Sequence, residues 1–121
     1  MTRVVQFEIA ADEPERAIAF YSSVFGWRFE RWDGPIEYWL ITTNSPESLG
    51  ITGGLVRRRG PMLAPENTIG VDEIDEAVNR VQTCGGKILR PKAAIDGIGW
   101  IAYCQDTEGN SFSVMQADPS A

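Results

Sequence analysis

The chain has no histidine among its 121 residues, and no other compositional fact excludes as much. Ser/His and Cys/His nucleophilic pairs, the commonest general base and the commonest transition-metal ligand all go with it. Any chemistry has to run on carboxylates, tyrosine, lysine, arginine or backbone groups. Basic residues are scarce as well: eleven against seventeen acidic ones leave a formal charge of −6, the wrong sign for an electrostatic nucleic-acid footprint. No apolar run approaches the length of a membrane span, and the opening MTRVVQFEIAADEPER lacks the basic-then-apolar order of an export signal. Neither a nucleic-acid nor a membrane partner is expected, and the expected location is cytoplasmic. Cys84 and Cys104 are then expected to stay reduced, each as a small buried hydrophobe.

What the chain does have is aromatic side chains. The stretch FGWRFERWDGPIEYWLITT, Phe25 to Thr43, carries three tryptophans, two phenylalanines and a tyrosine. Such residues suit core packing and ligand walls alike. The run Arg57 to Arg59 is the one local basic cluster; it reads as a solvated strand end or as a short clamp for an anion.

A repeat without gaps organises the chain. ADEPERAIAFYSSVFGWRF from Ala11 lies over VDEIDEAVNRVQTCGGKIL from Val71, an offset of 60 that puts Asp12 on Asp72, Ala17 on Ala77 and Gly26 on Gly86. Module one spans about 3–59, a linker about 60–65, and module two about 66–117, within a single domain of residues 1–121. Alternation of Val5, Phe7 and Ile9 with Gln6 and Glu8 predicts a strand, the first set facing a helix and the second facing away. Asp12 is the expected N-cap of that helix, with Pro14 in its first turn, Ala17, Phe20, Tyr21 and Val24 on its apolar face and Gly26 as C-cap. Strands follow over Trp27–Trp32, Glu37–Thr43 and Gly53–Arg58, and in the second copy over Lys87–Lys92, Gly99–Gln105 and Ser111–Gln116. The fold class is α+β: two βαβββ modules with helices on the outside.

VVQFEIAADEPERAIAFYSSVFGW, NTIGVDEIDEAVNRVQTCGGKIL and GIGWIAYCQDTEGNSFSVMQ resemble the vicinal oxygen chelate superfamily, which includes glyoxalase I, extradiol dioxygenases and the bleomycin and fosfomycin resistance proteins. The closest likeness is to short, single-domain, glyoxalase-like bacterial members. The resemblance implies a curled mixed sheet, an incomplete barrel with a ligand or metal in its hollow, and a homodimer, the modules pairing within one chain or across two. It places the family's four metal ligands at Gln6, Gly53, Glu66 and Ser113. Glycine has no donor, serine is a poor one and Gln6 is a weak amide, so this set reads as degenerate, with no cofactor expected and a divalent metal disfavoured.

Gln6 and Ser113, with the aromatics Tyr38, Trp39, Trp100 and Tyr103, are the candidate ligand-binding residues; either Tyr38 and Leu40 or Trp39 and Ile41 face the hollow. Glu66 is the candidate acid or base, and Glu8 is expected to pair with an arginine. Three functions fit this picture: a binder of a small organic molecule in an aromatic hollow without metal, as in bleomycin resistance; a lyase or isomerase acting beside a carbonyl; and a non-catalytic dimeric interaction module.

Overall fold

A computed structural model describes residues 2–43, 50–58 and 66–121. The chain divides into two compact units, one of residues 6–65 and one of residues 66–121 together with the first five. Each is an α+β module: one helix on a four-stranded mixed sheet. Strand β1 (Arg3–Ala11), helix α1 (Pro14–Phe25), β2 (Arg28–Arg31), β3 (Tyr38–Thr42) and β4 (Thr52–Arg57) make the first, in the sheet order β2-β3-β4-β1. Strand β5 (Asn67–Gly70), helix α2 (Ile74–Thr83), β6 (Lys87–Ile95), β7 (Gly99–Gln105) and β8 (Ser111–Ala117) make the second, in the order β5-β8-β7-β6. In each, the first strand pairs in parallel with the last and the other pairings are antiparallel.

The repeat is visible in three dimensions. Helices begin at Pro14 and Ile74, 60 residues apart, and both first residues are buried. The order of buried, half-buried and exposed positions is the same along residues 11–20 and 71–80. Neither helix is capped as the sequence suggests. Glu13 and Glu73 occupy the N-cap positions instead of Asp12 and Asp72, and neither makes a side-chain cap bond. At α2 the service comes from across the fold, where Gln116 Oε1 accepts the Ile74 amide at 2.8 Å.

The offset changes at the helix ends. Gly26 ends α1 in the left-handed region (φ 73°), and the glycine with that conformation after α2 is Gly85 (φ 97°), not Gly86. Beyond the helices the modules match at an offset of 59, as Gly26 with Gly85 already does: Arg28 with Lys87 opens the second strands. Strand pairing carries the same offset onward. Glu8 lies opposite Gly54 in β1/β4, and its counterpart Thr68 lies opposite Ser113 in β5/β8.

The core of the second module is Ile74, Ala102, Cys104 and Val114. In the first, Ile41 and Leu55 are fully buried, and Phe7, Trp27 and Tyr21 form an aromatic stack between sheet and helix: Tyr21 and Trp27 lie 5.1 Å apart at 5°, and Phe7 meets Trp27 at 5.7 Å. The apolar stripe read on α1 is wider than the face it buries. Phe20 and Val24 are more than half exposed, because the helix packs along Pro14, Ala17, Ile18 and Tyr21. Cys84 is likewise exposed rather than buried, since it is the C-cap of α2; both cysteines are free.

Candidate functional site

Strand alternation sorts the candidate residues onto faces. A Cβ built on Gly53 would meet the Phe7 ring, and Phe7 belongs to the aromatic stack beneath α1. The next residue, Gly54, therefore points to the opposite, helix-free face. There a Cβ would fall onto the Tyr38 hydroxyl. Tyr38 stands on β3, two strands away from β1 in the sheet, and its ring lies across the bare backbone of Gly54 to reach β1. Its hydroxyl donates to Glu8 Oε2 at 3.2 Å and accepts from Gln6 Nε2 at 3.3 Å. Any side chain at position 54 would block that crossing.

The expectation that Glu8 pairs with an arginine is overturned: its partner is the phenol. Burial pushes the Glu8 carboxyl above its ordinary value, and the Tyr38 hydrogen bond offsets part of this rise. The arginines are engaged elsewhere. Arg57 forks onto both carboxylate oxygens of Glu37, at 2.7 and 3.3 Å, and donates to the Asp12 carbonyl at 2.9 Å. Arg58 takes the Asp12 carboxylate at 3.0 Å and the Ala10 carbonyl at 3.4 Å. These two arginines clasp the β1–α1 turn to β4, using carboxylates of the module itself; Arg59 lies outside the described residues.

Tyr38 is held in place from β2. Arg31 Nη1 donates to the carbonyls of Trp32 at 2.6 Å and Ile36 at 3.2 Å, its guanidinium lies 5.4 Å over Trp39, and Trp32 packs edge-on against the Tyr38 ring at 6.0 Å. The choice left open by the sequence is thereby decided. Tyr38 and Leu40 share the face of Gln6 and Glu8, whereas Trp39 and Ile41 lie on the helix side with Gly53 and Leu55.

In the second module, Trp100 packs against the α2-side core, donates Nε1 to Asp118 Oδ2 at 3.1 Å, and carries Lys92 Nζ 4.8 Å above its ring. Tyr103 pairs with Ser113 on the opposite face. Ser113 and Thr68 are both buried and share a hydrogen bond of 2.9 Å between their hydroxyls. Glu66 immediately precedes β5; its Oε1 is shut off from solvent, and its charge adds to burial in pushing the Cys104 thiol up to about 11. A groove of about 460 Å³ runs beside α1, bordered by Ile9, Asp12, Arg16, Phe20 and Arg58. Gln6, Glu8 and Tyr38 are not part of its lining.

Of the four positions that the family likeness assigns to a metal, Glu66 alone carries a strong donor. Gln6 is bonded to Tyr38, Gly53 faces the aromatic stack, the register equivalent Gly54 is covered by the phenol, and the Ser113 hydroxyl is bonded to Thr68. Among the described residues no three of His, Cys, Asp and Glu gather at one place. A lone carboxylate at Glu66 falls short of the three or four donors that hold a first-row ion.

The profile of the glyoxalase-like domain family matches residues 6–115. The chain belongs to the glyoxalase-like family. A glyoxylase-like domain-containing protein of Didymella fabae is 30% identical over 112 residues, which is 88% of each chain. Protein CFP32 of Mycobacterium tuberculosis (strain CDC 1551 / Oshkosh) is 29% identical over 92% of this chain, and the match spans 44% of CFP32, less than half of that relative's length. Among solved structures, methylmalonyl-CoA epimerase from Mycobacterium tuberculosis superposes with a TM-score of 0.71 over 96% of this chain and 88% of its own, at 16% identity. A methylmalonyl-CoA epimerase in complex with methylmalonyl-CoA and NH4+ gives 0.74 over 100% and 99%, at 13% identity. These superpositions place this glyoxalase-like chain in the vicinal oxygen chelate fold. Sequence reading missed Glu8 and Gly54 as parts of one site with Tyr38. The alternation of β1 put Glu8 beside Gln6; which residues of β3 and β4 meet them depends on strand register.

Proposed function

We propose that this glyoxalase-like chain binds a small organic molecule on the helix-free face of its first module, through the second N–H of Gln6 and Oε1 of Glu8, both positioned by the Tyr38 hydroxyl, and without a metal ion. The observation that carries the reading is the Gln6–Tyr38–Glu8 chain laid over Gly54. A small-molecule pocket needs a few placed polar groups on an apolar wall, and here Leu40, 42% exposed on the same face, supplies apolar wall beside them. Among the described residues the second N–H of Gln6 and Oε1 of Glu8 carry no hydrogen bond. They are open to a ligand oxygen and a ligand hydrogen respectively. The donor chemistry of the family's metal positions supports the metal-free part of the reading.

The test is titration of isotopically labelled protein with small oxo acids, hydroxy ketones and aromatic acids, following the Gln6 side-chain amide by NMR. Binding is expected to shift that amide, and Tyr38→Phe, which removes the hydroxyl that positions Gln6 and Glu8, is expected to weaken affinity about tenfold. An unmoved Gln6 amide across the panel, or equal affinity in Tyr38→Phe, sinks the reading.

A further inference from the structure

We infer that the groove beside α1 is a second binding site, for a small aromatic carboxylate whose acid group is held by Arg16 and whose ring lies on Phe20. It is independent of the binding reading above, since Gln6, Glu8 and Tyr38 are not in its lining. Its volume of about 460 Å³ falls in the small-molecule range of roughly 300–1,000 Å³. Ala10, Ala11 and Ala17 line it without filling it. The repeat supplies an internal control. Residues 11–20 and 71–80 have the same order of burial, so what the fold asks of a position in α1 can be read at its counterpart in α2. There the second module carries Glu76 and Arg80, ordinary residues of a solvated helix face. The first module carries Arg16 and Phe20, the phenylalanine 56% exposed. Packing of the helix on its sheet does not require Phe20, because Arg80 serves at the same place. The ring is nonetheless held: it meets Tyr21 edge-on at 5.2 Å, and Tyr21 is stacked on Trp27 at 5.1 Å. An aromatic surface braced on one side and open on the other suits a flat ring.

Charge decides the other half of the ligand. Of the four charged side chains in the lining, Arg58 and Asp12 hold one another at 3.0 Å, and Glu13 lies in the field of Arg57. Arg16 makes no side-chain hydrogen bond and no ion pair among the described residues. It stands one turn before Phe20, on the same helix face. Its guanidinium is a planar fork that matches a carboxylate. The Tyr21 hydroxyl, with no hydrogen-bond partner among the described residues, borders the same groove as a further donor. A neutral or cationic ring would leave the Arg16 fork unmatched.

The experiment is NMR titration of the whole, isotopically labelled chain with benzoate, phenylacetate and indole-3-acetate, and with acetate and benzamide as ring-free and charge-free controls. The Arg16 Nε–H and the Ala17 methyl report on the groove, and the Gln6 side-chain amide on the helix-free face. One aryl acid or more is expected to shift the groove signals, with an affinity about tenfold or more above either control. Arg16→Glu and Phe20→Arg install the residue types that the second module carries at these positions, so the fold is kept. Each is expected to weaken that affinity about tenfold. Groove shifts with an unmoved Gln6 amide support the inference and count against binding at the helix-free face. Aryl acids that move only the Gln6 amide do the reverse and overturn it. Acetate or benzamide binding as tightly as the aryl acids, affinity unchanged in both variants, or unmoved groove signals with every compound also overturns it. So does a dimer that becomes a monomer in Phe20→Arg while no acid binds, which assigns this face to a second copy of the chain.

Discussion

The crossing of Tyr38 over Gly54 makes a quantitative prediction about Gly54→Ala. A Cβ at position 54 would lie 1.7 Å from the Tyr38 hydroxyl and 2.2 Å from its Cζ, so the ring must leave. Two hydrogen bonds go with it, one to the Gln6 amide at 3.3 Å and one to the Glu8 carboxylate at 3.2 Å. The neutral bond contributes about 1 kcal/mol and the charged one about 2 kcal/mol. Alanine recovers roughly 0.5–1 kcal/mol by restricting the unfolded chain. The net loss is about 2 kcal/mol, read in urea as a midpoint lowered by ~1 M at a slope of about 2 kcal/mol/M. The decisive comparison is the same substitution in a Tyr38→Ala background. With no ring to displace, Gly54→Ala is expected there to be neutral or slightly stabilising, which leaves a coupling of about 2–3 kcal/mol between the two positions. An equal cost in both backgrounds would refute the crossing.

Glu8→Gln is expected to stabilise the protein at neutral pH and to have little effect near pH 4. The folded-state carboxyl titrates above its ordinary value of 4.5, raised chiefly by burial, so the stability it contributes is fully present below 4.5 and is lost as pH rises through the folded value. Urea midpoints of both proteins against pH check this, and a variant whose advantage grows toward acid would contradict it. Thr68→Val and Ser113→Ala are each expected to cost about 1–3 kcal/mol by stranding the other hydroxyl, and together to cost clearly less than their sum, since both buried partners are then gone. Iodoacetamide at pH 8 should modify native protein once, at exposed Cys84, and unfolded protein twice, because Cys104 is buried and its thiol is held near 11. Mass spectrometry counts the labels. Leu55→Ala should cost about 2–5 kcal/mol, the usual range for a fully buried leucine.

Much of this architecture was legible in the residues. The 60-residue repeat, the helices opening at Pro14 and Ile74, and the strands that follow depend on local periodicity and turn chemistry, which a single sequence carries. So does the placement of Gln6 and Glu8 on one face of β1, away from Phe7. The one-residue slip after α2 was not legible. Gly85 and Gly86 are adjacent and chemically identical, and only backbone conformation shows that Gly85 is the counterpart of Gly26. A slip of one residue flips a strand position to the other face, so the repeat alone sends Ser113 to Gly53 under the aromatic stack, whereas strand pairing sends it to Gly54 under the phenol.

The candidate site divides in the same way. Composition determined which chemistry is open to this chain: with no histidine, carboxylates, tyrosine, lysine, arginine and backbone groups are what remain. Sequence pattern determined that Gln6 and Glu8 lie side by side. Tertiary structure alone decided that Tyr38, thirty residues from Glu8 in sequence, is their partner, that Arg57 and Arg58 are spent on the β1–α1 clasp, and that Trp39 and Trp100 face helices. Those facts arise from register between strands distant in sequence, and register is set by turns and by packing of whole faces, which no local stretch of residues encodes.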